Sequence, residues 1–358
     1  MVFTMEEFLS SANEGVRSAA LKVLEGERLN FEEALSLYKD GDLFLLGSLA
    51  QKVKEKIHGK RYYYTINRHI NYSNICNIGC KFCGYHKKPG EVGGYTLDID
   101  QVLDRLKGTS ELREVHIVGG LNPELPYEYY LELVKKIREK FPSVHIRAYT
   151  CVEIDWLARI SGKSVEEVLI ELKDAGLNSI PGGGAEVFSE RIRKELFPAK
   201  ISADRWIEIA KTAHRLGIPT NATLLFGHIE TDEEIISHLL KLRNIQDETG
   251  GFYCFIPLAF IPEGNQLSYL PGPSATKILK TIAISRIILD NFPHIKSYWV
   301  FLGVKLAQVA LLWGADHFHG TVFEEKISES MKKTQVMKLP PKEIERLIRE
   351  IGGTPVLV

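Results

Sequence analysis

From Gly59 onward, short β-rich runs alternate with longer helical ones, and this alternation constrains the fold more than any other feature of the chain. Strand-like runs at 62–66, 70–75, 114–118, 145–151, 179–180, 219–226, 252–259, 295–301 and 317–322 carry many β-branched and aromatic residues. Between them, helical spacing of apolar residues predicts helices over 99–107, 127–140, 165–175, 203–216, 232–247, 275–291 and 304–313. Gly176 and Gly217 follow two of these as C-caps, and Thr231 with Glu234 forms a capping-box pattern. Repeated β/α alternation implies a parallel (β/α)8 barrel, although a doubly wound sheet satisfies the same pattern. Residues 1–59 read as a helical N-terminal extension and 60–325 as the barrel. Residues 326–358 read as a C-terminal tail whose short amphipathic helix, 342–351, packs on the barrel.

The 358 residues are 44% hydrophobic and 25% charged, ordinary values for a globular chain with a large core. Net charge is −1, from 45 basic and 46 acidic residues. That balance points to neither a nucleic-acid partner nor a membrane surface. No apolar run approaches the roughly 20 residues of a membrane span, and the start lacks the marks of a signal peptide. The expected location is cytoplasmic.

Three of the five cysteines, Cys76, Cys80 and Cys83, fall within eight residues on the loop after the first strand. Thiolates at this spacing suit three corners of a [4Fe–4S] cube, which usually takes four cysteines, so one iron is left open for a small molecule. A Cys3His zinc site completed by His86 uses equally short spacing. A non-catalytic iron–sulfur or zinc protein that binds a nucleoside is therefore the alternative of another class. Cys151 and Cys254 stand alone in apolar, strand-like segments and read as buried core.

Other notable residues fall where strands end, the face on which barrels place their chemistry. Gly119-Gly120 follows the second strand and permits close backbone approach to a ligand. Glu153 follows the third. Gly182-Gly183-Gly184 follows the fourth, with Glu186 placed to accept from ribose hydroxyls. His228 and Glu230 follow the fifth and are candidates for proton movement. Alternation along the first strand puts Asn67, His69 and Asn71 on one face and Arg68 on the other. An all-polar face on a central strand implies that it lines a site. His69 is the candidate catalytic residue there, with Asn67, Arg68 and Asn71 as substrate contacts. His116, inside the second strand, reads as a core histidine.

The cysteine loop with Phe82 before its last thiol resembles that of the radical S-adenosylmethionine (SAM) enzymes. The stretches Asn-Arg-His-Ile-Asn-Tyr (67–72), His-Ile-Val-Gly-Gly-Leu (116–121), Pro-Gly-Gly-Gly-Ala-Glu (181–186) and Thr-Asn-Ala-Thr-Leu-Leu-Phe-Gly-His-Ile-Glu-Thr (220–231) narrow the resemblance. So do Gln-Asp-Glu-Thr-Gly-Gly-Phe (246–252), Ile-Pro-Leu-Ala-Phe (256–260) and Leu-Asp-Asn-Phe-Pro-His-Ile-Lys (289–296). The chain is similar over nearly its full length to the aminofutalosine synthase family, close kin to dehypoxanthine futalosine cyclases and to the synthase of the deazaflavin chromophore. The resemblance implies a TIM-type radical SAM barrel. It implies a [4Fe–4S] cluster on Cys76, Cys80 and Cys83, with SAM consumed as co-substrate. Phe82, Gly119, Gly120, Glu153, Gly183, Glu186 and Arg193 are its expected cofactor-binding set.

The implied reaction, in menaquinone biosynthesis, adds the 5′-deoxyadenosyl radical to the vinyl carbon of 3-[(1-carboxyvinyl)oxy]benzoate. Aryl migration and loss of the carboxylate follow. A one-electron reductant such as flavodoxin or ferredoxin is the implied partner. Two substrate carboxylates need cations, and Arg68, Arg191, Arg193 and Lys305 are the candidates. His69 favours the synthase, since the cyclase usually carries asparagine there. Gly84 stands where the family usually has alanine, and Asn122 and Ile261 where histidine is common.

Overall fold

The computed structural model describes residues 5–109, 111–322, 325–332 and 338–358. Its strands are β1 (Arg61–Thr65), β2 (Asn67–Ile70), β3 (Glu114–Ile117), β4 (His145–Ala148), β5 (Thr220–Phe226), β6 (Phe252–Ala259), β7 (His294–Ile295), β8 (His317–Gly320) and β9 (Thr354–Leu357). Parallel pairing joins β2 to β3 and β3 to β4, then β5 to β6 and β6 to β7. Single parallel bridges, Arg147 to Ser179 and Ile180 to Thr220, connect β4 to β5 through residues 179–180. A third, Lys296 to His317, connects the end of β7 to β8.

The ring closes on one long, kinked first strand. Its first half, β1, pairs with β8, and its second half, β2, pairs with β3. Thr321 laces the seam: its amide donates to the Thr65 carbonyl, its hydroxyl donates to the Asn67 carbonyl, and that hydroxyl accepts from the Asn67 amide. The expected parallel (β/α)8 barrel is therefore what forms. Helices cover its outside, their apolar stripes buried against the strands. Tyr127–Lys140 and Val165–Ala175 have the bounds that the sequence pattern predicts. The capping box of Thr231 and Glu234 is present at the helix Asp232–Thr249.

Four helices, Met5–Ser11, Glu14–Glu25, Phe31–Asp40 and Leu43–His58, precede the barrel. They dock on its outer helices: the Tyr38 hydroxyl meets Thr281 Oγ1 at 2.8 Å, and Arg28 pairs with Asp247 and Asp290. Where β7 and β8 begin, Asp316 is fully buried and takes the Arg286 guanidinium at 2.5 Å, His294 Nδ1 at 2.5 Å and the Ile295 amide at 2.8 Å. His58, at the end of the last N-terminal helix, meets the Pro293 carbonyl at 2.7 Å.

Four expectations change. The expected strand 70–75 is a loop beyond Ile70 that swings outward to carry the cysteines. The run 145–151 ends at Ala148 because Tyr149 is left-handed (φ 61°) and Thr150 caps a new helix, Cys151–Ser161. The run 295–301 contributes only the end of β7, and Trp299–Leu302 is a helical turn whose Trp299 indole donates to the Gly320 carbonyl. The C-terminal tail, of which 333–337 lie outside the described residues, adds β9 to its helix Pro341–Glu350. β9 pairs parallel with β1, from Arg61 with Thr354 to Tyr64 with Leu357. No helix among the described residues is long and apolar enough to cross a membrane.

Candidate active site

A cavity of about 310 Å³ opens at the C-terminal ends of the strands and reaches into the barrel. Cys76, Cys80 and Cys83 form one wall. Their loop is fixed by backbone bonds: the Cys76 amide donates to the Lys87 carbonyl (2.9 Å), Asn77 to Leu121 (3.3 Å) and Lys81 to Leu196 (2.9 Å). Phe82 packs edge-on against Phe197 at 5.8 Å. Backbone N–H groups of His86 and Tyr85 donate to the Cys83 sulfur, and burial pushes the Cys80 thiol up to about 12.

These thiols fit a cluster better than a single ion. Around a tetrahedral zinc with bonds of about 2.3 Å, sulfurs lie within roughly 4 Å of one another. Among the described residues, the one group of three potential ligands with atoms within 4.8 Å of one another is His58, His294 and Asp316, at the other end of the barrel. The three cysteine sulfurs do not all come that close to one another, and His86 is turned by the bond between its Nδ1 and the Cys83 carbonyl at 2.8 Å. Sulfurs so spaced do not close around one zinc ion.

Gly119 and Gly120 also lie on the cavity wall. A Cβ on Gly120 would stand 2.2 Å from the Ile75 carbonyl oxygen and 2.9 Å from Cys76 Cβ, and one on Gly119 would enter the Tyr72 ring. The pair lets the second strand end directly under the cysteine loop. Glu153 Oε1 accepts from the Gly119 amide (3.1 Å) and the Tyr72 hydroxyl (2.8 Å), and Oε2 accepts from the Thr150 amide and hydroxyl (2.7 and 2.8 Å). Glu153 therefore sits on a helix N-terminus rather than at a strand end, and its oxygens already brace the glycine turn. Gly183 and Glu186 line the opposite wall. Glu186 is held at φ 48° and receives Lys200 Nζ at 2.6 Å, beside the Phe82 ring.

Deeper in the barrel, His69, His116 and Arg147 occupy one register row across β2, β3 and β4 and line the cavity with His319 and Lys296. His69 and His116 stack at 4.6 Å. Asn67 Oδ1 accepts from the Val322 amide (3.0 Å), which turns Asn67 Nδ2 toward His69 Nε2 at 3.4 Å. His319 Nε2 meets the same nitrogen at 3.3 Å. Because Asn67 Nδ2 donates to Nε2, a neutral His69 carries its proton on Nδ1. Burial pushes His69 down to about 4, so it is neutral at pH 7. His319 is left-handed (φ 76°), and its Nδ1 is buried with no partner. Such strain and an unmatched polar atom are the marks of a functional position.

Six sequence candidates lie off the cavity wall. Arg68 points outward and donates to Thr109 Oγ1. Asn67 and Asn71 hold the first strand to its neighbours: Asn71 Nδ2 donates to the Val118 carbonyl, and its Oδ1 accepts from the Lys326 amide. Arg193 forks onto Glu190 and the Pro198 carbonyl. His228 is bound to the Leu225 carbonyl and the Ile229 amide, and Glu230 accepts from the Gly227 and His228 amides, so both fasten the loop after β5. Among the other candidate cations, Arg191 pairs with Glu234 and Lys305 is exposed. Asn122 clamps Ser73 and Thr96, and Ile261 lines the cavity. A Cβ on Gly84 would meet the Gly264 carbonyl oxygen at 2.4 Å, which excludes alanine in this packing. Arg147, Lys200, Lys296 and His319 were missed. Arg147, Lys296 and His319 sit in apolar strand runs where one buried polar residue reads as incidental.

The sequence profile of the radical SAM superfamily matches residues 70–242, and that of the CofH/MqnC C-terminal region matches 249–358. An aminodeoxyfutalosine synthase of Thermus thermophilus is 45% identical over 94% of this chain and 92% of its own. A cyclic dehypoxanthine futalosine synthase of Streptomyces coelicolor is 39% identical over 92% and 84%. The crystal structure of methylornithine synthase superposes with a TM-score of 0.76 at 21% identity, over 94% of this chain and 97% of that one. That likeness shows the shared barrel. The protein is thus an enzyme that uses a [4Fe–4S] cluster and SAM, and it belongs to the aminodeoxyfutalosine synthase family of the radical SAM superfamily.

Proposed function

We propose that this enzyme transfers the 5′-deoxyadenosyl group of SAM to the vinyl carbon of 3-[(1-carboxyvinyl)oxy]benzoate, with aryl migration and loss of the vinyl carboxylate as CO2 or bicarbonate, giving aminodeoxyfutalosine for menaquinone biosynthesis. When bound, the cluster would supply the electron, delivered by a reductant such as flavodoxin or ferredoxin, that cleaves SAM to methionine and the reactive 5′ carbon, and that electron is given up again as the carboxylate leaves. Cys76, Cys80 and Cys83 would hold three irons. The Gly119-Gly120 turn, kept in place by Glu153, would face the methionyl part of SAM, and Glu186 the ribose.

The observation that carries the reading is His69 on the cavity wall, its Nε2 occupied and its Nδ1–H free to face the ligand. A fixed N–H there can stabilise charge on the ether oxygen as the aryl group departs. The family name of the 45% identical relative agrees. The apolar lining excludes water from a carbon radical that reacts with whatever lies nearest.

The cyclase is the second reading, favoured by the 39% identical relative. Supplying adenine-labelled SAM and the enolpyruvyl ether to reduced enzyme separates the two by mass spectrometry. Label in an aryl-ketone nucleoside is the expected result. Label only in 5′-deoxyadenosine, with turnover of dehypoxanthine futalosine, would overturn it.

A further inference from the structure

Lys296 follows β7 and lines the cavity while only 3% exposed. Its ammonium has no hydrogen bond or ion pair with any described residue. Beside it, Arg147 is 4% exposed; one edge of its guanidinium pairs with Glu114 at 2.9 Å, and its Nε has no partner. The histidines around them are neutral, each pushed down by burial. Arg147 and Glu114 cancel, Glu186 pairs with Lys200, and Glu153 and Glu325 are held by backbone amides, none of them bonded to Lys296, which is left without a partner. Farther down, Arg286 and Asp316 cancel each other. Burial also lowers the Lys296 pKa, which measures how poorly this position tolerates an unmatched charge. A buried cation without a counter-ion on a cavity wall is a receptor for an anion.

We propose that Lys296, with the positive charge of the Arg147 guanidinium behind it, binds the benzoate carboxylate of the substrate deep in the barrel. The assignment rests on the reading above and goes further by giving the substrate its orientation. The vinyl carbon must face the cysteine loop, where the adenosyl group is released. The ring carboxylate is the group farthest from that bond-forming end. It is also the carboxylate that does not leave, so a cation holding it grips substrate, intermediates and product alike. A grip on a remote, unreacting group positions the reacting end without competing with the chemistry. Arg68, Arg191, Arg193 and Lys305, the cations that the sequence offered, do not reach this cavity.

The test is equilibrium binding to the cluster-loaded enzyme without reductant, so that no turnover occurs. The two probes are 3-[(1-carboxyvinyl)oxy]benzoate and its analogue with the ring carboxylate converted to a carboxamide. Hydrogen bonds to charged partners in such sites correspond to about a tenfold to hundredfold preference for the diacid. Lys296→Met should erase that preference while changing carboxamide affinity less than about threefold, and Lys296→Arg should restore part of it. The wild-type comparison needs no variant and stands even if Lys296→Met folds poorly. Equal wild-type affinity for the two probes, no binding of either, or a preference that survives in Lys296→Met overturns the assignment. If the preference is present but reduced enzyme gives no adenosylated ketone, the reaction assigned above fails and the anchor stands.

Discussion

Gly120→Ala isolates the coupling between the second strand and the cysteine loop. The added Cβ would lie 2.2 Å from the Ile75 carbonyl oxygen, 2.7 Å from its carbon and 2.9 Å from Cys76 Cβ. Two of these atoms are backbone and cannot swing aside as a long side chain would. Ile75 and Cys76 are also tied, since the Cys76 amide donates to the Lys87 carbonyl and the Ile75 amide donates to Ser73 Oγ. Contacts more than half an ångström inside van der Waals range leave two outcomes. If the loop holds, overpacking destabilises the fold by about 1–3 kcal/mol. If the loop yields, Cys76 moves away from Cys80 and Cys83 and the cluster loses a ligand. The assay is iron and sulfide content after anaerobic reconstitution, measured beside thermal unfolding of the same preparation. Wild-type protein should hold about four irons and four sulfides. The variant should fall short on iron, on stability or on both. Full iron with an unchanged unfolding midpoint would refute the argument that this glycine exists for close approach.

Replacing Cys76, Cys80 or Cys83 by alanine should abolish both iron binding and SAM cleavage. Cys151→Ser and Cys254→Ser, both fully buried away from the cavity, should keep the iron at a stability loss of about 1–2 kcal/mol, read by urea unfolding. Asp316→Asn strips the counter-charge from buried Arg286 and should destabilise by about 3–5 kcal/mol without changing iron content in whatever protein folds. His214 and His238 are pushed down by burial to about 4 and about 3. Their unfolded forms take up protons near pH 6.5 while the folded forms do not, so stability is intact above that pH and is lost as pH falls toward 4, by at most about 1.4 kcal/mol per unit per histidine. Urea midpoints that stay flat between pH 7 and 5 would contradict this. His228→Gln should alter thermal stability while leaving substrate affinity within about twofold, because His228 fastens a loop and does not line the cavity.

Helices were legible in the sequence because their ends carry local chemistry. Thr231 and Glu234, or Ala175 and Gly176, announce a boundary through atoms a few residues apart. Strands were legible where apolar and aromatic runs are long, as in β5 and β6. The run Tyr298-Trp299-Val300-Phe301 looks like a strand but coils, because Trp299 finds its partner at Gly320, a contact with no local signature. β9 was invisible for the same reason: a short, partly exposed Thr-Pro-Val-Leu becomes a strand only when β1 lies beside it. The cysteines and glycines of the site were readable because spacing within one loop is local. Arg147 on β4, Lys296 just after β7 and His319 on β8 come together only when the barrel closes. Conversely, His228 and Glu230 carry catalytic residue types but use them on their own loop's backbone.

The kinked first strand has a consequence for how the molecule is made. Its edges are completed by β8, which joins Tyr63 to His317, and by β9, which joins Arg61 to Thr354. During synthesis this strand emerges long before either partner. The loop that follows it carries all three cluster thiols. Until β8 and β9 have emerged, those thiols sit on an unsealed barrel, open to oxygen and to stray metals. Pairings this distant in sequence also form slowly. The wall that carries the cluster thiols is therefore sealed only when β8 and β9 pair with β1, so a lesion near residue 357 is expected to show itself as missing iron some 280 residues away.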